Sequence, residues 1–295
     1  MPASALALVL VAALLHALWN VAAKKAGGNH HFVMMVALII VVVWGPVGLW
    51  FGWQEVPRWG VFEWGLVLAS GVTHLLYFNV LLKGYRESDL TIVYPVARGT
   101  GPLLTAFAAV IVLDESLSVL GLAGVLAVTA GVFLIAGGPR LWQMAHDIEQ
   151  GQRVRAGLMW GALTGVFIAT YSVIDGYAVK IALISPILVD YFGNLVRIPF
   201  MLPSTLRDRA GFVRAWQAQW RFAVFVAVVS PLAYVLVLYA VTIAPLSHVA
   251  PAREVSMLFA ALIGGRLLGE ADSAARLMGA GLIALGVAAL ALGGA

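Results

Sequence analysis

An offset of 155 residues lays one half of this chain on the other. Under that shift Lys25 falls on Lys180, Ala97 on Ala252, Arg98 on Arg253, Leu113 on Leu268, Glu115 on Glu270, Gly124 on Gly279 and Gly131 on Gly286. Each half holds five apolar segments of about 20 residues, the length that crosses hydrocarbon as a helix. They run roughly over 4–23, 32–53, 61–82, 90–113 and 117–137, then 156–178, 185–203, 220–241, 244–266 and 274–293. Five is odd, so a chain threaded in sequence enters its second half in the opposite sense. The expected fold is an all-α integral membrane protein: ten transmembrane helices in two inverted five-helix repeats, related by a pseudo-two-fold axis in the membrane plane. The repeats should occupy 1–139 and 156–295, with 140–155 as the loop between them.

The composition points the same way. Hydrophobic residues make up 62% of the chain and charged residues 11%, against about 25% charged in an ordinary soluble protein. Lipid must face most of such a surface. There is no cysteine, which excludes disulfides and thiolate metal sites. The basic residues are scattered among loops, so there is no nucleic-acid footprint. The N-terminus lacks a basic lead, and its apolar run continues to Lys24 and Lys25; it reads as the first spanning helix rather than a signal peptide.

Loop charges suggest an orientation. The odd-numbered connections hold 13 Lys and Arg residues, from Lys24 and Lys25 through to Arg266 and Arg276, whereas the even-numbered ones hold Arg58 and Lys180. The positive-inside bias places the odd connections in the cytoplasm and both termini outside.

Three arginines, Arg98, Arg197 and Arg253, lie within the expected spans, as do three acids, Asp175, Asp190 and Glu254. A guanidinium at membrane depth is costly and marks a functional site by default. The equal numbers also allow structural ion pairing, and one site can do both if the pairing breaks on binding. The fourth helix sets Tyr94, Arg98, Gly101 and Thr105 on one stripe and contains Pro95 and Pro102; the ninth contains Pro245, Pro251 and Arg253. Prolines there free backbone carbonyls, tolerable at membrane depth only where protein or water covers them. In an inverted pair Arg98 and Arg253 should flank one central cavity from opposite sides.

Polar and aromatic residues converge on neighbouring helices: His16, Trp19 and Asn20 on the first, Ser70, His74 and Tyr77 on the third, Trp160, Thr164, Tyr171 and Asp175 on the sixth, Ser230 and Tyr234 on the eighth. The expected substrate-binding set is Trp19, His74, Tyr77, Tyr94, Arg98, Tyr171, Tyr234 and Arg253. Asp175 and Glu254 are the candidates for coupling, with the proton as coupling ion. Trp44, Trp50, Trp53, Trp59 and Trp64 read as interface anchors. Asp190, Asn194 and Arg197 form a stripe read as a helix–helix contact. The paired glycines seven apart on the fifth and tenth helices read as close packing, for scaffold or a dimer surface. No HExxH, GxxxxGK[ST] or GxSxG occurs, and nothing pairs His16 or His74 with a nucleophile, so no enzyme is expected. Neither metal nor cofactor is expected.

The stretches VLDESLSVLGLAGVLAVTAGVFLIAGG and RLLGEADSAARLMGAGLIALGVAALALGG, with LLHALWNVAAKK and YPVARGTGPLL, resemble EamA-type carriers of the drug/metabolite transporter superfamily. The resemblance covers nearly the whole chain. It implies a ten-helix fold, a central cavity lined by helices 1, 3, 4, 6, 8 and 9, and metabolite export; some similar carriers export amino acids, aromatic ones included, and others move nucleotide sugars or sugar phosphates. The loop charges depart from the common pattern by placing the N-terminus outside. The expectation is an alternating-access exporter of amino acids, as a multi-pass protein of a bacterial inner membrane, monomeric or homodimeric, whose partners are its small substrate, lipid and the proton. A cationic-drug exporter, a carrier of phosphonates or phosphorylated metabolites, and a membrane protein that does not transport stay open.

Overall fold

The computed structural model describes residues 1–27, 29–135, 151–260 and 273–293. Among them are ten α-helices and no strand: α1 (Ala3–Lys25), α2 (His30–Glu55), α3 (Val61–Glu87), α4 (Leu90–Val112), α5 (Val119–Ile135), α6 (Gly151–Lys180), α7 (Pro186–Arg207), α8 (Arg209–Ile243), α9 (Leu246–Ala252) and α10 (Ser273–Leu292). In lipid the backbone must satisfy its own polar groups, and an apolar chain therefore becomes helical almost throughout. Six helices, α1, α2, α3, α4, α6 and α8, are long and apolar enough to cross a membrane. The other four fall short for separate reasons. Helix α5 and the apolar part of α10 are shorter. Asp190, Asn194 and Arg197 make α7 more polar, and α9 stops at Ala252.

The contacts sort the connections to two ends of the bundle. At one end the Met1 ammonium donates to the Ala291 carbonyl, Ser118 Oγ to the Gly293 carbonyl, and Lys180 reaches Glu115. At the other end His31 meets Asp208, and Arg153 meets Asp89. Both termini thus lie with the even-numbered connections.

The helix pairs repeat under exchange of each helix with the one five later. Helix α1 packs on α8 as α6 packs on α3, and α2 on α8 as α7 on α3; α2 with α7, α4 with α9 and α5 with α10 meet across the axis. The inversion is clearest at α5 and α10. A Cβ added at Gly124 would lie 2.8 Å from the Gly286 carbonyl oxygen, and one at Gly131 would lie 2.6 Å from that of Gly279. Early α5 meets late α10 and late α5 meets early α10, so the two run antiparallel. The glycine faces are spent on each other, which selects scaffold over dimer surface for these faces. Gly131→Val should therefore lower the thermal midpoint of the detergent-purified protein by several degrees or abolish folding, because a backbone carbonyl cannot rotate out of the way. An unchanged midpoint would refute the role given to this contact.

The structure corrects three expectations. Residues 209–221, expected as a polar connection, extend α8 to 35 residues, about 52 Å of rise. The connection is Asp208 alone, whose carboxylate accepts from the Gly211 amide and caps the helix. Arg153 and Arg155, expected in the inter-repeat loop, sit in the first turns of α6. The fourth and ninth helices part company as well. Helix α4 runs unbroken past Pro95 and Pro102. After α9 the chain turns at Arg253 and Glu254 and is helical again over 255–260. There the Glu254 amide bonds to the Pro251 carbonyl, the Ser256 amide to that of Arg253 and the Met257 amide to that of Glu254, a tightened ladder in place of the α pattern. Residues 136–150, Arg266, Glu270 and the rest of 261–272 lie outside the described residues.

A carboxylate clamp holds the start of α9. Asp114 takes φ 53° at the end of α4, a conformation Asp tolerates better than most residues, and Glu115 follows it. Its oxygens accept from Lys180 Nζ at 2.7 Å, from the Leu246 amide at 2.7 Å and from the Ser247 amide at 2.8 Å. Burial alone would push this carboxyl up. The Lys180 ammonium and the Ser247 and Leu246 amides outweigh that and hold it below the usual carboxylate range. A lowered folded value stabilises the fold above the ordinary Glu value and loses that contribution as pH falls through the lowered one. Glu115→Gln should cost about 2 kcal/mol near neutral pH. The gap between wild type and variant should close on acidification. A gap independent of pH would contradict the clamp.

Candidate substrate site

The membrane-depth charges meet where α4 and α9 cross. Arg98 is 8% exposed, Arg253 6% and Glu254 0%. Arg98 Nε lies 3.0 Å from Glu254 Oε2, and one Arg98 amino group donates to Ser256 Oγ at 3.1 Å. The Nε–H does not point along the line to the carboxylate, and Nε and both Glu254 oxygens lack a directed hydrogen bond. The contact is an ion pair with poor geometry, the kind a better-aligned carboxylate can displace. The Arg98 guanidinium carbon also stands 6.0 Å from the Tyr94 ring centre.

The repeat explains an imbalance here. Shifted back by 155, Arg253 lands on Arg98, but Glu254 lands on Gly99 and Ser256 on Gly101. One arginine was duplicated into two, and among the described residues one of the two has an acid. Arg253 forms no ion pair with a described residue, and its Nε has no hydrogen-bond partner among them. A desolvated guanidinium with no ion pair among the described residues is expensive and is the strongest feature of the site. Arg253 directly follows α9, which packs on α4, so the two guanidiniums enter the bundle at one crossing.

An aromatic wall stands beside them. His74 stacks on Tyr171 at 3.9 Å between ring centres and meets Tyr234 edge-on at 5.9 Å; Tyr77 meets Tyr171 at 5.7 Å. Ala97 and Ile168 pack with the three tyrosines. His74 Nδ1 donates to the Ser70 carbonyl at 3.0 Å, which leaves Nε2 as an acceptor. Tyr234 donates to Asp175 Oδ2. On α1, His16 packs edge-on against Trp19 at 4.9 Å, and Trp19 also touches the apolar cluster shared by α2 and α8.

His16, Trp19, His74, Tyr77, Tyr94 and Tyr234 are each half-buried, so their rings stay accessible. Phenols, indole and imidazole with two guanidiniums nearby suit a small molecule that is part apolar and carries an acidic group.

Close backbone approach shapes the wall. Gly157, Gly161 and Gly165 on α6 repeat every four residues. A Cβ at Gly161 would lie 2.9 Å from the Val93 carbonyl oxygen, and one at Gly165 would lie 3.0 Å from the Gly101 nitrogen. This small-residue stripe brings α6 against α4 and so sets Tyr171 near Arg98. The spacing is legible in the sequence. Ser256, by contrast, carries no signal that would have marked it as a partner of Arg98. The Asp190 stripe forms a local bond, Asn194 Nδ2 to the Asp190 carbonyl at 2.8 Å and Oδ2 at 3.2 Å. Of the five tryptophans expected at the interface, Trp50 and Trp53 are 81% and 82% exposed, but Trp44 donates to the Ala227 carbonyl inside the bundle.

The sequence profile of the EamA-like transporter family matches this chain twice, over residues 3–137 and 155–292. A comparison with curated proteins gives no match. One solved crystal structure superposes over 99% of this chain and 98% of its own, with a TM-score of 0.73 and 17% sequence identity. At that identity the likeness speaks for the fold alone.

Proposed function

The chain belongs to the EamA-like transporter family, and from that premise we propose that it carries small zwitterionic or anionic metabolites, amino acids first among them, outward across a bacterial inner membrane by alternating access. The family makes it a multi-pass membrane transporter of small molecules; the choice of substrate rests on the site. One observation carries that choice: the duplication leaves two buried guanidiniums, of which Arg98 is ion-paired with Glu254 and Arg253 has no ion pair among the described residues. A substrate carboxylate supplies the missing charge. Arginine presents a planar fork that matches a carboxylate. The tyrosines at 77, 94, 171 and 234, with Trp19 and His74, accept a range of side chains. The outward direction is what the resemblance to metabolite exporters implies; the loop charges bear only on which end of the bundle faces the cytoplasm.

The same imbalance counts against a cationic drug as substrate. Glu254 is already engaged with Arg98 and Asp175 with Tyr234, whereas Arg253 has no ion pair among the described residues. The test is counterflow in proteoliposomes across labelled amino acids, cationic drugs and phosphonates. Amino acids are expected to exchange, aromatic ones fastest, with simple carboxylates competing. Exchange of drugs or phosphonates without amino acids would overturn the reading, as would no exchange of any class by folded protein.

A further inference from the structure

Glu115 ties three connections of the chain together. It lies between α4 and α5 itself. Lys180, which donates to its Oε1 at 2.7 Å, ends α6, and the Leu246 and Ser247 amides, which donate at 2.7 and 2.8 Å, open α9. All three connections belong to the even-numbered end. Beneath the tie the apolar side chains close on α6. A Cβ added at Gly176 would lie 2.8 Å from Leu246 Cδ2 and 3.5 Å from Leu113 Cδ1. Gly176 follows Asp175, whose side chain holds Tyr234 of the aromatic wall. An ionic tie over an apolar layer therefore stands between that wall and the even-numbered end.

The described residues do not repeat this tie at the odd-numbered end. Shifted back by 155, Ser247 lands on Ile92 and Lys180 on Lys25. The Ile92 amide bonds to the Asp89 carbonyl within its own turn. Lys25 is exposed, with no ion pair among the described residues. Two equivalent helix starts thus differ in what receives their amides. Helix α9 is also short, seven residues or about 10 Å of rise. Its first amides are in the tie, and its C-cap is Arg253. A rigid piece pinned at one end passes a displacement of the other end to the pin. We infer that Glu115 and Lys180 form the latch of the even-numbered end, and that a carboxylate drawn onto Arg253 shifts α9 and releases it. This rests on Arg253 receiving the substrate carboxylate. Both latch residues are positioning residues, since they act on the site through α9. The bonds are charge-assisted and hold the end closed. The Lys180 side chain is 23% exposed, so water can take over the parted groups and opening strands no buried charge.

The chain has no cysteine, so two thiols placed at the exposed Val119 and Ile181, on either side of the latch, take spin labels cleanly. The distance between them is measured by electron–electron double resonance on the whole chain in phosphatidylethanolamine–phosphatidylglycerol nanodiscs, with and without phenylalanine. Wild type alone should show one short distance, and phenylalanine should add a longer one. Lys180→Met should show the longer distance without ligand, its population raised about tenfold, and Glu115→Gln should do the same. Arg253→Met should keep the short distance and lose the response to phenylalanine. A purely structural tie would lower the thermal midpoint and leave the distances alone. The inference fails if both latch variants, folded by their thermal midpoints, keep the wild-type distribution. It fails too if phenylalanine lengthens the distance in Arg253→Met as it does in wild type, or if wild type exchanges phenylalanine in vesicles while its distance never changes. If the latch variants open the end but wild type neither exchanges phenylalanine nor responds to it, the latch stands and the assignment of a carboxylate to Arg253 falls.

Discussion

Arg253→Met should lower amino-acid exchange by about 100-fold or more and leave the thermal midpoint of the purified protein unchanged or raised. The transport loss follows from removing a buried, charge-assisted partner of the substrate carboxylate, a contact worth several kcal/mol when desolvated. The stability result follows from the absence of any partner among the described residues. Methionine keeps an apolar stem and leaves no charge behind in a low-dielectric interior. Most buried ionic residues cannot be changed so cheaply, and for that reason the pair of readouts is diagnostic. A variant that transports normally would remove Arg253 from the site. One that fails to fold would mean the guanidinium is held by the protein rather than kept for a ligand.

Arg98 should behave in the opposite way. Arg98→Met strands Glu254, which is 0% exposed, as an uncompensated buried acid, and breaking such a pair costs about 3–5 kcal/mol. The expected result is a large fall in thermal midpoint and poor yield. Glu254→Met added to Arg98→Met should recover most of the loss, because removing both charges together leaves neither stranded. Transport should stay impaired in the recovered double variant if the Arg98–Glu254 pair opens during the cycle. A single Arg98→Met as stable as wild type would show that the 3.0 Å contact contributes little, and the asymmetry drawn between the two arginines would go with it.

The two arginines were legible as a pair in the sequence, but their difference was not. Arg98 and Arg253 share an offset, a depth and a proline-containing neighbourhood. Only the crossing of α4 and α9 shows that Glu254 belongs to Arg98, 156 positions away, rather than to the residue beside it. The Glu115 clamp is similar. Glu115 and Lys180 each stood out as repeat-matched residues, and nothing in their spacing of 65 hinted that they meet. The aromatic set fared better. Polar atoms deep in a span must turn inward, and His74, Tyr77, Tyr171 and Tyr234 did so. The extension of α8 through 209–221 was missed because its charges read as a connection; a helix running past the hydrocarbon layer can carry them exposed.

What the residues alone determined is the architecture. Apolar segments must become helices where water is absent, an odd number per repeat forces inversion, and glycines at matched places mark where backbones touch. These are local or periodic constraints, and they survive without coordinates. The tertiary structure decided which charge neutralises which. Pairing depends on distances of a few ångströms between helices far apart in the chain, and in a low-dielectric interior those distances govern the energy. Hence the fold follows from pattern, and which buried cation has no ion pair among the described residues is visible only after the helices have packed.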